Sequence, residues 1–483
     1  MDSLLELGEL VKAVKGKLIS KSENCFFSSV QTDSRLVEKD TMFVPLIGEF
    51  QDGHKYIEQA VKKGASVVLM SESTYETSLL KLNRLPVMYP FVTFILVENT
   101  LHALQDAAEA YVEKMSNDLI KVSITGSCGK TTTKEMMVSV AKEHFGENHT
   151  VYTKGNFNSE TGLPLSVFNI RKEHEIGIFE MGMNRENEIG EISKVLKSKY
   201  GIITNIGTAH IGLLGSRENI AKEKRKSFNY IPKDGAAFVP ADDDFVEYLT
   251  ENVEGDVVTY GKNVPEEKSG VHFIKDKGLE GTEFSVDGIK VNLPLNGEYN
   301  YQNALGVVAC AKHLGITADE IRKGLEGLGK ISGRMEAKKV SLCNDESVTL
   351  IEDCYNANPD SMSKAIDFCN GLNDGRKFYV LADMKELGSQ SESAHKMIGE
   401  KLKGCNFESV FLVGNEIEPA YKALKGNKEI YYYKENSEET FNNISKKLNE
   451  LCKKDDVILL KGSHSMELEK LVPMLCKEGK VGK

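Results

Sequence analysis

From about residue 99 onward the chain alternates continuous apolar runs with helix-period segments, and this rhythm constrains its fold more than any other feature. Residues 121–125, 176–181 and 201–205 read as buried strands, and 130–144, 187–197 and 218–229 as helices. A strand apolar at every position must be covered on both faces, which crossover helices between parallel strands achieve. The spacing therefore predicts an α/β chain with mainly parallel sheet. The rhythm breaks at the glycine-rich stretch 327–333 and restarts with strands at 348–352, 378–381, 410–413, 430–433 and 457–460. Shorter strand runs at 41–44 and 66–70 flank a helix pattern at 56–63 near the start. Three domains follow, 1–98, 99–331 and 332–483, as a length of 483 residues allows.

Composition narrows the function. Hydrophobic residues make up 40% and charged residues 28%, the balance of a globular enzyme rather than a disordered chain. A net charge of −11 argues against general nucleic-acid binding, which needs a basic face. It does not exclude phosphorylated ligands, because backbone N–H groups and one or two lysines suffice locally. The nine cysteines show no CxxC spacing, so free thiols in a reducing compartment are expected. The N-terminal residues lack a signal-peptide apolar block, and the longest apolar run, 85–97, contains two prolines and is too short to span a bilayer. The expectation is a cytoplasmic protein with no membrane insertion, and a monomer.

The strongest local signal is Gly126-Ser127-Cys128-Gly129-Lys130-Thr131-Thr132, between a strand and a helix. Gly126 and Gly129 let the backbone wrap a phosphate, while loop N–H groups and the helix N-terminus supply partial positive charge. Lys130 can reach the β- and γ-phosphates and the Thr131 hydroxyl a Mg²⁺ ion. This reads as an ATP site in a P-loop-type central domain. Only two residues separate the first glycine from the Gly-Lys pair, against four in the common form. The C-terminal domain has a Rossmann-like order of elements but no GxGxxG, so a dinucleotide there is not expected.

With these residues the chain resembles the Mur ligase family. The matching segments run collinearly: 32–54 (TDSRLVEKDTMFVPLIGEFQDGH), 126–132, NFNSETGLP at 156–164, EMGMN at 180–184, TNIGTAH at 204–210, NGEYNYQNAL at 296–305, Gly333-Arg334, DCYNANPDSM at 353–362, LADMKELG at 381–388 and KGS at 461–463. The resemblance implies three domains binding, in order, a uridine nucleotide, ATP and an incoming amine. It implies an ATP- and Mg²⁺-dependent ligase joining D-alanyl-D-alanine to UDP-N-acetylmuramoyl-tripeptide through an acyl phosphate. The 355–362 block separates it from the sister ligase that adds the third amino acid. A sister ligase adding another unit and a catalytically silent nucleotide-binding scaffold are the alternatives.

The resemblance also assigns residues. Lys130, Glu180, His210 and Lys224 carry catalysis, and Thr131, Glu180, His210 and Lys224 (as its carbamate) hold the metal. Lys224 lies in a basic helical run, with Lys222 as the competing position. Asn303 would read adenine, Arg334 reach the ATP phosphates and Asp353 accept a ribose hydroxyl. Ser34, Arg35, Asp52 and His54 would surround the uracil and diphosphate, although Asp52-Gly53 equally suits a tight turn. Asn156, Asn158 and Thr161 are implied for substrate. Asn356 and Asn358 are implied for the dipeptide, with turn formation as the other reading. Tyr299, Ala382, Lys385 and His464 depart from the family pattern; Lys385 is either solvated or a contact for a phosphoryl or carboxylate group.

Overall fold

The computed structural model describes residues 3–481 apart from 24, 78–80, 116–118, 330, 374 and 427–428, with side chains as far as 476. The strands foreseen from apolar runs form, within a residue or two at each end. A five-stranded sheet has the order Lys17–Ser20, Thr93–Val97, Ala65–Ser71, Thr41–Phe43, Ser29–Gln31. The last four strands are parallel and the first is antiparallel to its neighbour. Helix Ile57–Lys63 lays Ile57, Ala60 and Val61 onto Phe43, Val68 and Phe94. It ends at Gly64, where φ is 114° and any Cβ would stand 2.7 Å from Lys39 Cα, so only glycine fits.

A six-stranded sheet has the order Asp256–Tyr260, Ala236–Pro240, Tyr200–Ile203, Ile120–Thr125, Ile176–Glu180, Thr150–Tyr152. The C-terminal sheet runs Ile430–Tyr433, Ser409–Val413, Lys377–Ala382, Val457–Lys461, Ser347–Asp353, Glu336–Leu342, Cys476–Val481. Its first five strands are parallel and its last two antiparallel. Val457–Lys461 sits between Lys377–Ala382 and Ser347–Asp353, so the loops after Ala382, Asp353 and Lys461 leave from one edge. Ligands of open α/β sheets gather where the strand order switches in this way. Two features are additions to the sequence reading. The hairpins 271–293 form a three-stranded antiparallel sheet turning at Asp287-Gly288, and Glu336–Leu342 is an antiparallel strand between Ser347–Asp353 and Cys476–Val481 whose charged Glu336, Lys338 and Lys339 conceal it.

By contacts the described chain divides into two compact units, each assembled from separated segments. One comprises 1–123, 145–201 and 226–236; the other comprises 124–144, 202–225 and 237–483. The nine cysteines are free, and no helix among the described residues is long and apolar enough to cross a membrane.

In the first unit, Lys121 lies in a strand with 7% of its surface exposed; burial first, then the charge of Lys197, pulls its pKa down to about 8. The unfolded chain, with an ordinary value of 10.5, then binds more protons between pH 8 and 10.5, so stability rises with pH across that window. Lys121→Met is accordingly expected to stabilise the protein at pH 7 by up to about 3 kcal/mol. Denaturant titrations at pH 7 and pH 10.5 check this: the gain should fade at the higher pH, and an equal gain at both would refute the charge explanation.

Candidate active site

In the second unit, the strand ending at Thr125 delivers the chain into the 126–129 turn and then helix Lys130–Phe145. Gly129 has φ 83°, and a Cβ there would stand 2.5 Å from Asn303 Oδ1, so the loop closes directly on that buried amide. Residues 204–207 back the loop from behind. Asn205 O accepts from Ser127 N–H (3.0 Å), Asn205 Oδ1 accepts from Cys128 N–H (3.1 Å), and Thr204 Oγ1 and Asn205 Nδ2 both donate to Cys128 O (2.5 and 2.9 Å). Gly207 N–H donates to Ser127 Oγ at 2.9 Å. Lys130 Nζ donates to Gly126 O at 2.9 Å, folded over the loop it belongs to. A sixteen-residue helix opening behind a braced glycine turn, with an ammonium above it, suits a polyphosphate.

Lys224 and His210 belong to the same unit. Lys224 is fully buried, while Lys222, its competitor, is exposed. Burial, then the charge of Lys130, drives the Lys224 pKa well below its usual value, favouring the neutral amine that can react with CO₂. His210 is held low by burial and by the charges of Lys130 and Lys224, against the opposing pull of Glu386. Its Nδ1 lies 2.7 Å from Glu386 Oε2. Glu386 was not foreseen, although it lies inside the 381–388 segment. Arg334 Nη2 donates to Thr131 Oγ1 at 3.0 Å, and the guanidinium stacks 4.2 Å from the Tyr355 ring. Tyr299 has a buried hydroxyl without a hydrogen-bond partner, and burial followed by the charge of Asp353 raises its pKa.

The 353–362 segment has structural tasks of its own. Asp353 Oδ2 takes the buried Lys461 ammonium at 2.5 Å, and Lys461 also donates to Asn356 O at 3.1 Å. Asn358 caps helix Pro359–Gly371 by accepting from Ser361 N–H at 2.9 Å, while its Nδ2 reaches Cys128 Sγ at 3.2 Å. The turn-forming reading of Asn358 thus holds together with contact to the phosphate loop. Asn356 Oδ1 accepts from Ala357 N–H at 2.8 Å. Asp360, another unforeseen residue, accepts from both the N–H and the hydroxyl of Thr208 at 2.7 Å. Lys385, its side chain 38% exposed to solvent, pairs with Asp383 and Glu416, both at 2.9 Å. His464 stacks on Tyr355 with centroids 5.9 Å apart.

In the first unit, Glu180 ends strand Ile176–Glu180, 2% exposed. Its Oε1 accepts from Asn158 Nδ2 at 2.6 Å, and its Oε2 is buried with no hydrogen-bond partner. A lone buried carboxylate oxygen costs free energy unless a cation or donor meets it. Glu188, also buried and also missed, accepts from Glu160 N–H (2.9 Å) and Asn184 N–H (2.6 Å), bracing the 156–164 loop against 180–184. Asn156 is exposed and Thr161 precedes helix Gly162–Val167. Among the described residues, no three His, Cys, Asp or Glu side chains group to hold a metal.

The uridine-side expectations divide. Ser34 is buried and donates to Gln59 Oε1 at 3.0 Å; Arg35 is 81% exposed on its side chain and paired with Asp33. His54 corrects its expectation. It is buried, with Nδ1 on Asp52 Oδ1 at 2.6 Å and Nε2 accepting from Ser71 N–H at 2.9 Å. Both ring nitrogens are used within the protein, so His54 fixes the loop instead of offering a nitrogen to a ligand. Asp52 is the cap of the turn Gly53–Tyr56, the competing account of that position.

Comparison with known proteins matches three Mur ligase families of domain along the chain: the family's catalytic domain at 27–112, the middle domain at 124–311 and the glutamate ligase domain at 333–464. The chain is 37% identical to the UDP-N-acetylmuramoyl-tripeptide–D-alanyl-D-alanine ligase of Treponema pallidum, covering 98% of this chain and 100% of the relative. It is 34% identical to the Bacillus subtilis ligase of that name, covering 96% of each. Among solved structures it resembles MurF from Acinetobacter baumannii (TM-score 0.83, 28% identity, 96% and 97% covered). It also resembles Thermotoga maritima MurF in complex with ADP (TM-score 0.75, 26% identity, 92% and 96% covered).

Proposed function

Since the chain belongs to the Mur ligase family and matches its D-alanyl-D-alanine-adding ligases end to end, we propose how its residues carry out the ATP-dependent joining of D-alanyl-D-alanine to UDP-N-acetylmuramoyl-tripeptide. The single observation that carries this reading is the braced 126–132 loop with buried Lys224 and His210 in the same unit. A terminal carboxylate oxygen of the tripeptide attacks the γ-phosphorus, and ADP leaves with the bridging oxygen's electrons. The dipeptide amine then attacks the acyl carbon, loses a proton, and inorganic phosphate departs, leaving the new amide bond. Neither step needs a nucleophilic side chain, so the protein's task is alignment and charge stabilisation.

Lys130 and the loop N–H groups take the phosphates, and Arg334 reaches the same end of the helix through Thr131. The chemistry of the donors suits Mg²⁺: Glu180 offers a buried oxygen without a partner, and carbamoylated Lys224 would turn a buried amine into an anionic oxygen donor. Thr131 and His210 complete the proposed donors, each on its own surroundings. Bound Mg²⁺ would offset the negative charge of the transferring phosphoryl group. Asn303, packed on the phosphate loop, is proposed for adenine, Asp353 for ribose, and Asn356 and Asn358 for the dipeptide. Ser34, Arg35, Asp52, Asn156, Asn158 and Thr161 are proposed for the uridine-linked substrate, with His54 supporting from behind. Domains at 1–98, 99–331 and 332–483 and action in the cytoplasm belong to the same proposal.

Phosphate release from ATP, measured with UDP-N-acetylmuramoyl-tripeptide with and without D-alanyl-D-alanine, tests the reading. Steady release should require the dipeptide and be accompanied by pentapeptide product. Dipeptide-independent turnover, or activity only with another amine, would overturn it.

A further inference from the structure

Behind the phosphate loop, three consecutive backbone N–H groups end on side chains. Ile206 N–H donates to Asp243 Oδ2 at 2.7 Å, Gly207 N–H to Ser127 Oγ at 2.9 Å and Thr208 N–H to Asp360 Oδ2 at 2.7 Å. The Thr208 hydroxyl donates to the same Asp360 oxygen, also at 2.7 Å, so one carboxylate oxygen takes both donors of one residue. Gly207 leaves the room for it: a Cβ there would collide with Asp360 Oδ2 and stand 3.3 Å from Ser127 Cβ. Asp360 is the second residue of helix Pro359–Gly371, where a carboxylate ordinarily serves the free N–H groups of its own helix. Here Asn358 and Ser361 form that cap between them, and Asp360 turns to Thr208 instead. Within the second unit, the start of this helix therefore holds the phosphate loop at two points. Asn358 Nδ2 reaches Cys128 Sγ at 3.2 Å, and Asp360 holds the segment whose Asn205 and Gly207 brace Cys128 and Ser127. Thioether and thiol sulfurs are weak acceptors, whereas hydrogen bonds to a carboxylate are among the stronger ones, so Asp360 carries the attachment.

We propose that Asp360 is a positioning residue for amine transfer: through Thr208 it fixes the start of helix Pro359–Gly371 against the phosphate loop. Asn356 and Asn358, the side chains read as dipeptide contacts, are fixed with it. Asp360 meets no reacting atom in this role. The proposal rests on the joining of D-alanyl-D-alanine, in which the amine must reach an acyl phosphate made at the loop. Misplacement by about 1 Å costs such a step about 100-fold in rate.

Two measurements on the full-length enzyme test it. The first needs no turnover: iodoacetamide labelling of Cys128, read on its own peptide by mass spectrometry, reports whether Asn358 still covers the thiol. Asp360→Ala should label at least about 5-fold faster there, while fully buried Cys310 stays unlabelled and establishes that the variant is folded. The second is kinetic. Asp360→Ala should raise KM for D-alanyl-D-alanine about 10-fold and lower kcat about 10-fold, with ATP affinity by titration within about two-fold of wild type. Thr208→Val should lose about 3- to 10-fold in kcat/KM for the dipeptide, and Thr208→Ser, which keeps the hydroxyl, should match wild type. In the Asp360→Ala background Thr208→Val should cost nothing further, because its partner is already gone. Additive losses, Cys128 labelling indifferent to Asp360→Ala, or ATP weakened as much as the dipeptide each overturn the proposal. Wild-type phosphate release that does not need the dipeptide refutes the joining reaction instead, and the labelling still judges the placement by Asp360.

Discussion

Lys224→Ala is expected to lower turnover by at least about 10³-fold while leaving ATP binding within a few-fold, the pattern for a group acting on the charge that develops during transfer. The argument starts from burial. An unmodified ammonium with no exposed surface, beside the charge of Lys130, is disfavoured, and its pKa falls well below the ordinary lysine value. The neutral amine is the species that attacks CO₂; its nitrogen forms a bond to the carbon, and loss of a proton leaves the carbamate anion. That anion replaces repulsion of Lys130 by attraction. Enzyme equilibrated with ¹³C-bicarbonate should show a carbamate resonance that Lys224→Ala lacks, and Lys222→Ala should retain both resonance and activity because Lys222 lies in solvent. A fully active Lys224→Ala, or a resonance that survives it, would remove the carbamate from the mechanism.

Lys130→Ala should be comparably severe but differently distributed, costing about 10²–10³-fold in turnover and also weakening ATP. Lys130 now donates to Gly126 O at 2.9 Å, with Ser127 O at 3.5 Å, so its ammonium is held against the loop's own carbonyls. A phosphate entering the loop offers a charged acceptor in place of a neutral one, and charge-assisted hydrogen bonds are about twice as strong. Lys130→Arg keeps the charge but carries a planar fork in place of a compact point charge, and should recover binding more than turnover. Isothermal titration with ATP and single-turnover phosphate release separate the two effects; unchanged turnover in Lys130→Ala would exclude the loop from phosphoryl transfer.

Most of the sheet framework was legible because buried parallel strands are apolar throughout and stand out without reference to partners. Phe378–Leu381 and Val457–Leu460 are found for that reason. The 271–293 hairpins and the Glu336–Leu342 strand were not, since antiparallel strands with one face toward solvent carry charged residues and their identity depends on what pairs beside them. The site divides similarly. Local geometry exposes the 126–132 loop, where glycine, lysine and helix start all fall within seven residues. Glu386, Asp360 and Glu188 act on groups far along the chain, and a carboxylate's spacing from its own neighbours says nothing of them. His54 and Lys385 show the converse: each has the chemistry of a ligand contact, yet each is committed to protein partners that only the folded chain supplies.

The links from Thr131 to Arg334 and from Cys128 to Asn358 span 203 and 230 positions. During synthesis the phosphate loop therefore leaves the ribosome long before its partners exist. At about 5–20 residues per second the wait is at least about ten seconds. A chain halted anywhere before Asn358 would carry every residue of the 126–132 motif and still lack the cap that meets it. The emergence of nucleotide binding on the nascent protein should therefore be timed by the translation of residues 334–358 rather than by that of the loop itself.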